Sequence, residues 1–433
     1  MNPGVLETIR TLSTDDAWVM VVGSLVNVSC GLLGCYLVLR RQSLLGDAIS
    51  HAILPGLAVA FMLTHSRAVL PMFLGAMAVG VLTAFLSQTI HRVANVPEDA
   101  SMGVVFTTFF AVGVILITMV ARHIDLDPGC VLYGAIEFVG LDMQSRFGLT
   151  APRAFWSLAV VIAVVVGFIV LFYKELKIVS FDAHLATTMG INATLMHYLL
   201  MSLVAGTTVA AFESVGSILV VAMLIVPGAT AHLLTDRLDR MLMIAAAVGI
   251  VSAIMGNILA VHWNTSVAGM MSVVAGLQFA TAVVAAPRYG LISRWLHHTS
   301  LASRVVREDI LAMIYRWHES TRDRSLSAAQ VVRALGGGLL PHLAMLHLRV
   351  AGLVGPDQTA LRLTRAGRDR ARGLVRSHRL WESYLAKHFD LPIDHLHEPA
   401  ERVEHFVSPT LRDRLAEEVI DAKTDPHGRR IPP

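Results

Sequence analysis

The chain is short of charge. Only 15% of its 433 residues are Asp, Glu, Lys or Arg, whereas 55% are hydrophobic. Soluble domains carry about 25% charged residues, so a wholly water-soluble fold is excluded. The deficit is uneven: residues 1–299 hold 14 of the 35 Lys+Arg and 15 of the 32 Asp+Glu, leaving 21 and 17 for the last 134 residues. Two solvents are implied, lipid first and water second. Cysteine is scarce too. Cys30, Cys35 and Cys130 offer neither a disulfide framework nor a zinc spacing; Cys30 and Cys35, beside Gly31 and Gly34, read as small packing residues in an apolar helix. A net charge of +3 gives no footing for nucleic acid. There is no GxxxxGK[ST] loop, nucleophile elbow or HExxH motif, so the chain is expected not to be an enzyme, and transport is the leading class. The start "MNPGVLETIRTLSTDD" is polar and its apolar run begins only at Ala17, so no cleavable signal peptide is expected.

What is present is a series of apolar runs, each near the ~20 residues that cross a bilayer: about 17–39, 44–64, 68–90, 100–121, 154–173, 195–212, 215–235, 241–262 and 266–286. The count is eight or nine transmembrane helices, because 44–64 and the turn at Glu213–Gly216 are ambiguous. Nine alternating spans put Arg40-Arg41, His91-Arg92, Lys174/Lys177 and Arg237/Arg240 on one side, the cytoplasmic one by the positive-inside rule. The N-terminus then lies outside and the charged tail inside. Two connections exceed simple turns, 122–153 outside and 174–194 inside. From about Ser300 the pattern turns soluble: "REDILAMIYRWHE" is an amphipathic helix, Ser325 is a candidate N-cap for the next one, and "GPDQTALRLTRAGRDRARGLV" reads as a short hairpin leading into a basic helix. The fold class is an all-α polytopic membrane protein followed by a mostly α domain, winged-helix-like and then helical.

Inside the apolar part, "LLGDAISHAILPG" (44–56) carries Asp47 and His51 four positions apart on one helical face. Ionisable groups at membrane depth normally face a cavity or a partner and mark ion paths. A carboxylate with an imidazole suits Mn(II), Fe(II) or Zn(II), and Pro55-Gly56 breaks the helix as cavity-lining helices are broken. An Asp–His pair that only locks helix packing, or a proton relay, fits the same residues. His232, His262 and Glu213 lie at span ends and receive no function.

"GLLGCYLVLRRQSLLGDAISHAILPGLAVAF" (31–61), "VPEDASMGVVFTTFFAVGVILIT" (96–118) and "VGSILVVAMLIVPGATAHLL" (215–234) together resemble the permeases of metal-ion ABC importers over residues 15–290. The resemblance implies that Asp47 and His51 sit in the metal path. It also implies that "FDAHLATTMGIN" (181–192), through Asp182, Ala186 and Gly190, is the cytoplasmic coupling segment that docks an ATPase subunit, an ordinary amphipathic connector being the alternative. In the outer loop "HIDLDPGC", His123, Asp125 and Asp127 could receive metal from a donor protein or simply keep the loop solvated.

The tail brings a second resemblance. "LTRAGRDRARGLVRSHRLWESYLAKHFDLPIDHLHEPAERVEHFVSPTLRDRL" and the closing "DPHGRRIPP" resemble the C-terminal half of diphtheria-toxin-repressor and manganese-repressor metalloregulators. The resemblance places metal ligands at His378, Glu382, His397, Glu401, Glu404 and His405, with Asp309 from an earlier helix. Glu401 stands where iron-type members have Cys and manganese-type members have Glu. The spacings agree: His378 and Glu382 share a helical face, as do Glu401, Glu404 and His405, and an N/O donor set suits Mn(II) or Fe(II). Surface ion pairs would show the same spacing. The would-be reading helix, "GGGLLPHLAMLHLRVAGLV" (336–354), is apolar and contains Pro341. Base readout needs polar side chains, and only Arg349 is on offer, which argues against DNA binding.

The expected protein is therefore the permease subunit of an ATP-driven divalent-metal importer in a bacterial inner membrane. Manganese is the first choice of cargo, with iron or zinc behind it. The tail would sense cytoplasmic metal. Implied partners are an ATPase, an extracytoplasmic metal-binding protein and a second copy of the chain. The expected divisions are an outer N-terminus (1–16), the membrane domain (17–290), a linker (291–305) and the tail (306–433, dividing at 372/373). A membrane-tethered metal-dependent transcription regulator and a proton-coupled carrier are the alternatives.

Overall fold

A computed structural model describes residues 13–42, 44–65, 69–121, 136–146, 148–320, 326–357, 360–389, 391–392, 395–419 and 423–433. The chain divides into two units at Ser293/Arg294.

The first unit is helical because apolar backbone in lipid must satisfy its own hydrogen bonds. Helix α1 (Thr14–Leu39) opens at Ser13, whose hydroxyl accepts from Asp16 N while the Asp16 carboxylate accepts from Ser13 N, a capping box. The segment 44–64 is two helices, α2 (Leu44–Ala52) and α3 (Leu54–Thr64), separated at Ile53 with Pro55 in the first turn of the second. Proline has no N–H to continue the ladder, so the break falls where Pro55-Gly56 predicts. Next come α4 (Val69–Ala94) and α5 (Glu98–Ala121). The described part of the long connection holds a 3-10 turn (Ile136–Leu141) and a small antiparallel hairpin, β1 (Met143–Arg146) with β2 (Leu149–Pro152), in the register Met143↔Pro152. The Glu137 carboxylate of that turn accepts from Val267 N at 2.9 Å.

The unit continues with α6 (Arg153–Leu171), α7 (Tyr173–Phe181), α8 (Ala183–Thr188), α9 (Ala193–Leu234), α10 (Leu238–Trp263) and α11 (Val267–Ala285). Within α9, Gly216 (φ 76°, ψ 172°) leaves helical geometry, and Pro227 follows. Two helical stretches, Ala193–Phe212 and Ile218–Leu234, thus meet at a glycine in the left-handed region. Among the described residues, seven helices are long and apolar enough to cross a membrane. The remaining two apolar runs are the interrupted ones: α2 with α3, and Ile218–Leu234.

Small residues set how closely these helices approach. A Cβ on Gly34 would sit 2.0 Å from the Leu224 carbonyl oxygen, and one on Gly228 would sit 2.9 Å from the Gly34 carbonyl carbon, so α1 and α9 cross backbone to backbone. Gly56 and Gly75 do the same between α3 and α4. Cys30 and Cys35 are buried and free in α1, the packing role read from the sequence.

In the second unit, α12 (Leu291–Ser320) is continuous helix through the segment read as a linker. The next helix, α13 (Ala328–Ala334), is capped by Ser327, with Gln330 completing a capping box. Ser325, the cap expected from the sequence, lies outside the described residues; Ser327 has the glutamine three positions on that the box requires. Then come α14 (Leu339–Val350), the antiparallel bridge Val354↔Leu363 where a hairpin was expected, and α15 (Arg365–His388). The bridge is a single residue pair, not two strands. After it lie α16 (His397–Val403), a 3-10 turn (Glu404–Phe406) and α17 (Pro409–Glu418). Ile310, Ile314, Val331, Met345, Leu348 and Leu361 form the core of this unit.

Gly34→Ala should destabilise the membrane unit by about 1–3 kcal/mol or more, the cost of overpacking a close crossing. Gly103→Ala, which meets nothing within 4 Å, should not. Thermal unfolding of the purified chain in detergent compares them, and equal midpoints would contradict the crossing.

Candidate metal centres

The tail gathers most of its expected ligands into two clusters. In the first, α15 projects His378 and Glu382 one turn apart, both almost fully buried, and His397 arrives from the start of α16. The three donor atoms form a near-equilateral triangle: His378 Nε2 to Glu382 Oε1 3.0 Å, His378 Nε2 to His397 Nδ1 3.0 Å, His397 Nδ1 to Glu382 Oε1 2.9 Å. His427 Nε2 stands 3.7 Å from the same carboxylate oxygen.

In the second, His405 Nε2 lies 3.1 Å from Asp309 Oδ1 and 3.9 Å from Glu404 Oε1. The other ring nitrogen, Nδ1, is 3.0 Å from Glu308 Oε2. Glu404 belongs to both neighbourhoods, because its Oε2 lies 2.6 Å from His378 Nδ1 and 3.1 Å from Arg316 Nη2. His378 Nδ1 nevertheless lacks a well-aligned hydrogen bond.

Burial and charge oppose each other here. Burial by itself would push the His405 imidazole down, but hydrogen bonds to Asp309 and Glu308 override it and raise the ring to about 9. As an imidazolium it donates to both carboxylates. Burial would likewise raise Glu382, yet hydrogen bonds from His378 and His397 hold it at about 2. His378 is raised by Glu382 and Glu404 against its own desolvation.

The donor chemistry fits a divalent ion. Two imidazoles and a carboxylate converging within 3 Å need a shared proton or a cation between them, and a hard or borderline ion with N/O preference supplies the latter. In the second cluster, Asp309, Glu404 and His405 offer two carboxylates and one imidazole.

Glu401 is the exception among the expected ligands. The helix ends at Val403 and tightens into the 3-10 turn, and Glu401 is not among the donors of either cluster. Glu401 is exposed and lines a cavity of about 530 Å³ together with Asp309, Arg316 and Glu404. Sequence reading missed Glu308, buried beneath His405, and His427. It also missed a buried guanidinium: Arg379 bonds Glu319 through Nη1 (3.0 Å) and Nη2 (2.5 Å), faces Asp425 Oδ2 at 3.5 Å, and donates to the Arg430 carbonyl. Its signal was the basic residue next to His378, inside a stretch otherwise read for ligands.

In the membrane unit, Asp47 and His51 both fall on α2, one turn apart, ahead of the break at Ile53. The Asp47 side chain lies outside the described residues. The half-buried His51 ring approaches Phe106 and Phe110 of α5, with centroids 6.3 and 5.8 Å away. Gly113 of α5 makes room for the break, since a Cβ there would meet Leu54 and Pro55 at under 3 Å. His123, Asp125 and Asp127 lie outside the described residues.

The inner connection is ordered by its own residues. Asp182 Oδ1 accepts from His184 N and Leu185 N, both at 2.9 Å, and caps α8. Ala186 is fully buried against Val179 and Met196. Gly190 (φ 83°) ends the helix in the left-handed region. Arg40, read from the sequence only as an orientation marker, reaches Ser180 Oγ at 3.3 Å and His197 Nδ1 at 3.5 Å. It ties the end of α1 to the helices on either side of α8.

These features define a multi-pass membrane protein with a second unit that gathers metal-binding side chains. Residues 16–286 match the ABC 3 transport family, and residues 364–433 match the iron dependent repressor, metal binding and dimerisation domain. The manganese transport system membrane protein MntD of Bacillus subtilis (strain 168) is 47% identical over 282 residues, which is 65% of this chain and 95% of that protein. The zinc transport system membrane protein TroD of Treponema pallidum (strain Nichols) is 36% identical over 364 residues, 83% and 93% of the two chains. PsaBC from Streptococcus pneumoniae, solved in complex with Fab, aligns at a TM-score of 0.55 and 30% identity over 66% of this chain and 96% of its own. The chain belongs to the ABC 3 transport family.

The His405 shift has a definite pH sign. Its folded pKa of about 9 exceeds the ordinary 6.5, so its stabilisation is complete below about 6.5 and is lost as pH rises through about 9. Amide exchange in residues 404–406 of the full chain with chelator should accelerate over that window, beyond the intrinsic base-catalysed rise. His405→Gln should remove the extra acceleration. An unchanged pH profile in the variant would contradict the assignment.

Proposed function

We propose that the chain is the permease subunit of an ATP-driven importer of divalent metal, with manganese the favoured cargo and iron or zinc the alternatives. The observation that carries this reading is the broken helix. A chain of the ABC 3 transport family puts an Asp and a His one turn apart on α2, directly before an interruption at membrane depth. Irregular backbone is tolerated there only where it is enclosed by protein or lines a cavity. Similarity to relatives named for manganese and zinc transport supports the cargo class. Asp47 and His51 then form part of the metal path, with further ligands from neighbouring helices.

ATP hydrolysis belongs to a separate subunit that docks on 181–192. Phe181, Leu185 and Met189 are exposed there at four-residue spacing, around the fixed frame of Asp182, Ala186 and Gly190. Two copies of the chain offer one such segment to each of two ATPase subunits. The segment lies in the cytoplasm of a bacterial cell, as does the tail, and the connection bearing His123, Asp125 and Asp127 faces an extracytoplasmic metal-binding protein. Asp47→Ala and His51→Ala should each reduce metal uptake into proteoliposomes holding the complex to background, while the chains still assemble with the ATPase. Uptake at the wild-type rate in either variant sinks the proposal.

The tail would read cytoplasmic metal and adjust transport. His378, Glu382 and His397 form one site, and Asp309, Glu404 and His405 the other, with Glu401 beside the second. The imidazole and carboxylate donors of these two sets, with no thiolate among them, would suit Mn(II), Fe(II) or Zn(II). In the full chain, His378→Ala with Glu404→Ala should leave uptake intact but make its rate indifferent to metal added on the tail side. A variant that keeps the wild-type metal response removes the sensor role.

A further inference from the structure

Helix α14 is apolar on two faces. One face sends Ala344, Met345 and Leu348 into the core of the tail. The other leaves Leu339 (75% exposed), Leu343 (52%), Leu346 (58%) and Val350 (81%) in the open. Those positions run i, i+4, i+7, i+11 and therefore form one stripe. A helix apolar all round is normally enclosed, so the outward stripe calls for an occupant.

Charge narrows the choice. Between Asp323 and Asp357 the sequence contains no acidic residue. The exposed polar side chains of α14 are His342 and His347, and Arg333 is exposed on α13. An apolar stripe edged only by cationic or neutral groups is the composition of a helix lying at an anionic lipid surface. The first unit of this same chain is a multi-pass membrane protein, so a bilayer is always within reach of the tail.

We propose that the exposed face of α14 is a peripheral membrane-contact surface. Leu339, Leu343, Leu346 and Val350 enter the boundary between headgroups and acyl chains, and the exposed His342 and His347, with Arg333 of the preceding helix, meet lipid phosphates. The same apolar side chains cannot bond base edges. The helix that would read DNA is turned to lipid instead. The proposal is independent of the identity of the cargo and of metal binding by the tail.

The test uses the full chain in nanodiscs, with Cys130→Ser to remove an unwanted label site. A bimane label is placed on Leu343→Cys or, as control, on Ala329→Cys, which is exposed on α13. Lipids carrying a doxyl quencher near the headgroup should quench the label at 343 several-fold more than at 329. The difference should shrink in purely zwitterionic lipid and vanish when Leu346→Glu and Val350→Glu are added. These are surface changes, and unaltered exchange protection of residues 310–314 verifies that the tail remains folded. Equal quenching at both positions overturns the proposal. So does a label at 343 that is shielded in detergent and cross-links to a second chain, since that makes the occupant another copy.

Discussion

A peptide N–H in hydrocarbon has no water to bond, and this constraint governs the first unit. Every apolar run must close its hydrogen bonds within itself, which leaves helices, and lipid offers no hydrophobic drive to hold helices together. Contact between backbones does that instead. Gly34 against Leu224, Gly228 against Gly34, and Gly56 against Gly75 bring carbonyls to distances that no side chain would permit. The framework is close-packed where helices cross at glycine, and its helices are interrupted at proline or glycine. Both interruptions, at Ile53 and at Gly216, lie in helices that pack on this framework.

The tail faces the opposite solvent and the opposite problem. It buries charge, which is costly unless each charge is paired and hydrogen-bonded. Glu308, Glu382, Glu404, His378, His405 and Arg379 are all nearly inaccessible. They are held as a network in which few members have a single partner. Glu404 alone faces His378 and Arg316 through one oxygen and the His405 side through the other. In such a centre the carboxylates are already collected around the cations that neutralise them.

Much of this was legible in the sequence, for physical reasons. Apolar run length fixed the membrane helices, and Pro55-Gly56 located the break in 44–64. Helical spacing paired His378 with Glu382. Other features were hidden because they depend on partners remote in the chain. Glu308 becomes a cluster member only once α12 packs beneath His405. Arg40 looks like an ordinary membrane-edge cation until Ser180 and His197 meet it. Glu401 was grouped with Glu404 and His405 by helical spacing; it lines the same cavity as Glu404, but its carboxylate is not among the donors that converge on His405. The cap moved from Ser325 to Ser327 because the glutamine that completes it sits at 330. The hairpin at 143–152 lay within a connection read for its length and charge, without its local turn being weighed.

The closing loop of the tail carries a consequence in time. Asp425 accepts from His427 N and Arg429 N, Thr424 bridges to Arg430, and the Arg430 carbonyl receives the buried Arg379 guanidinium. Residues 423–431 are thus the clasp on a charge laid down more than forty positions earlier. A ribosome delivers the clasp after the charge it holds. Until it emerges, Arg379 has, among its described acidic partners, Glu319 to neutralise it, and the helix that carries His378 and Glu382 lacks that support. The membrane helices, made first, are inserted by then. Synthesis order therefore completes the membrane unit before the buried charge network of the tail can set.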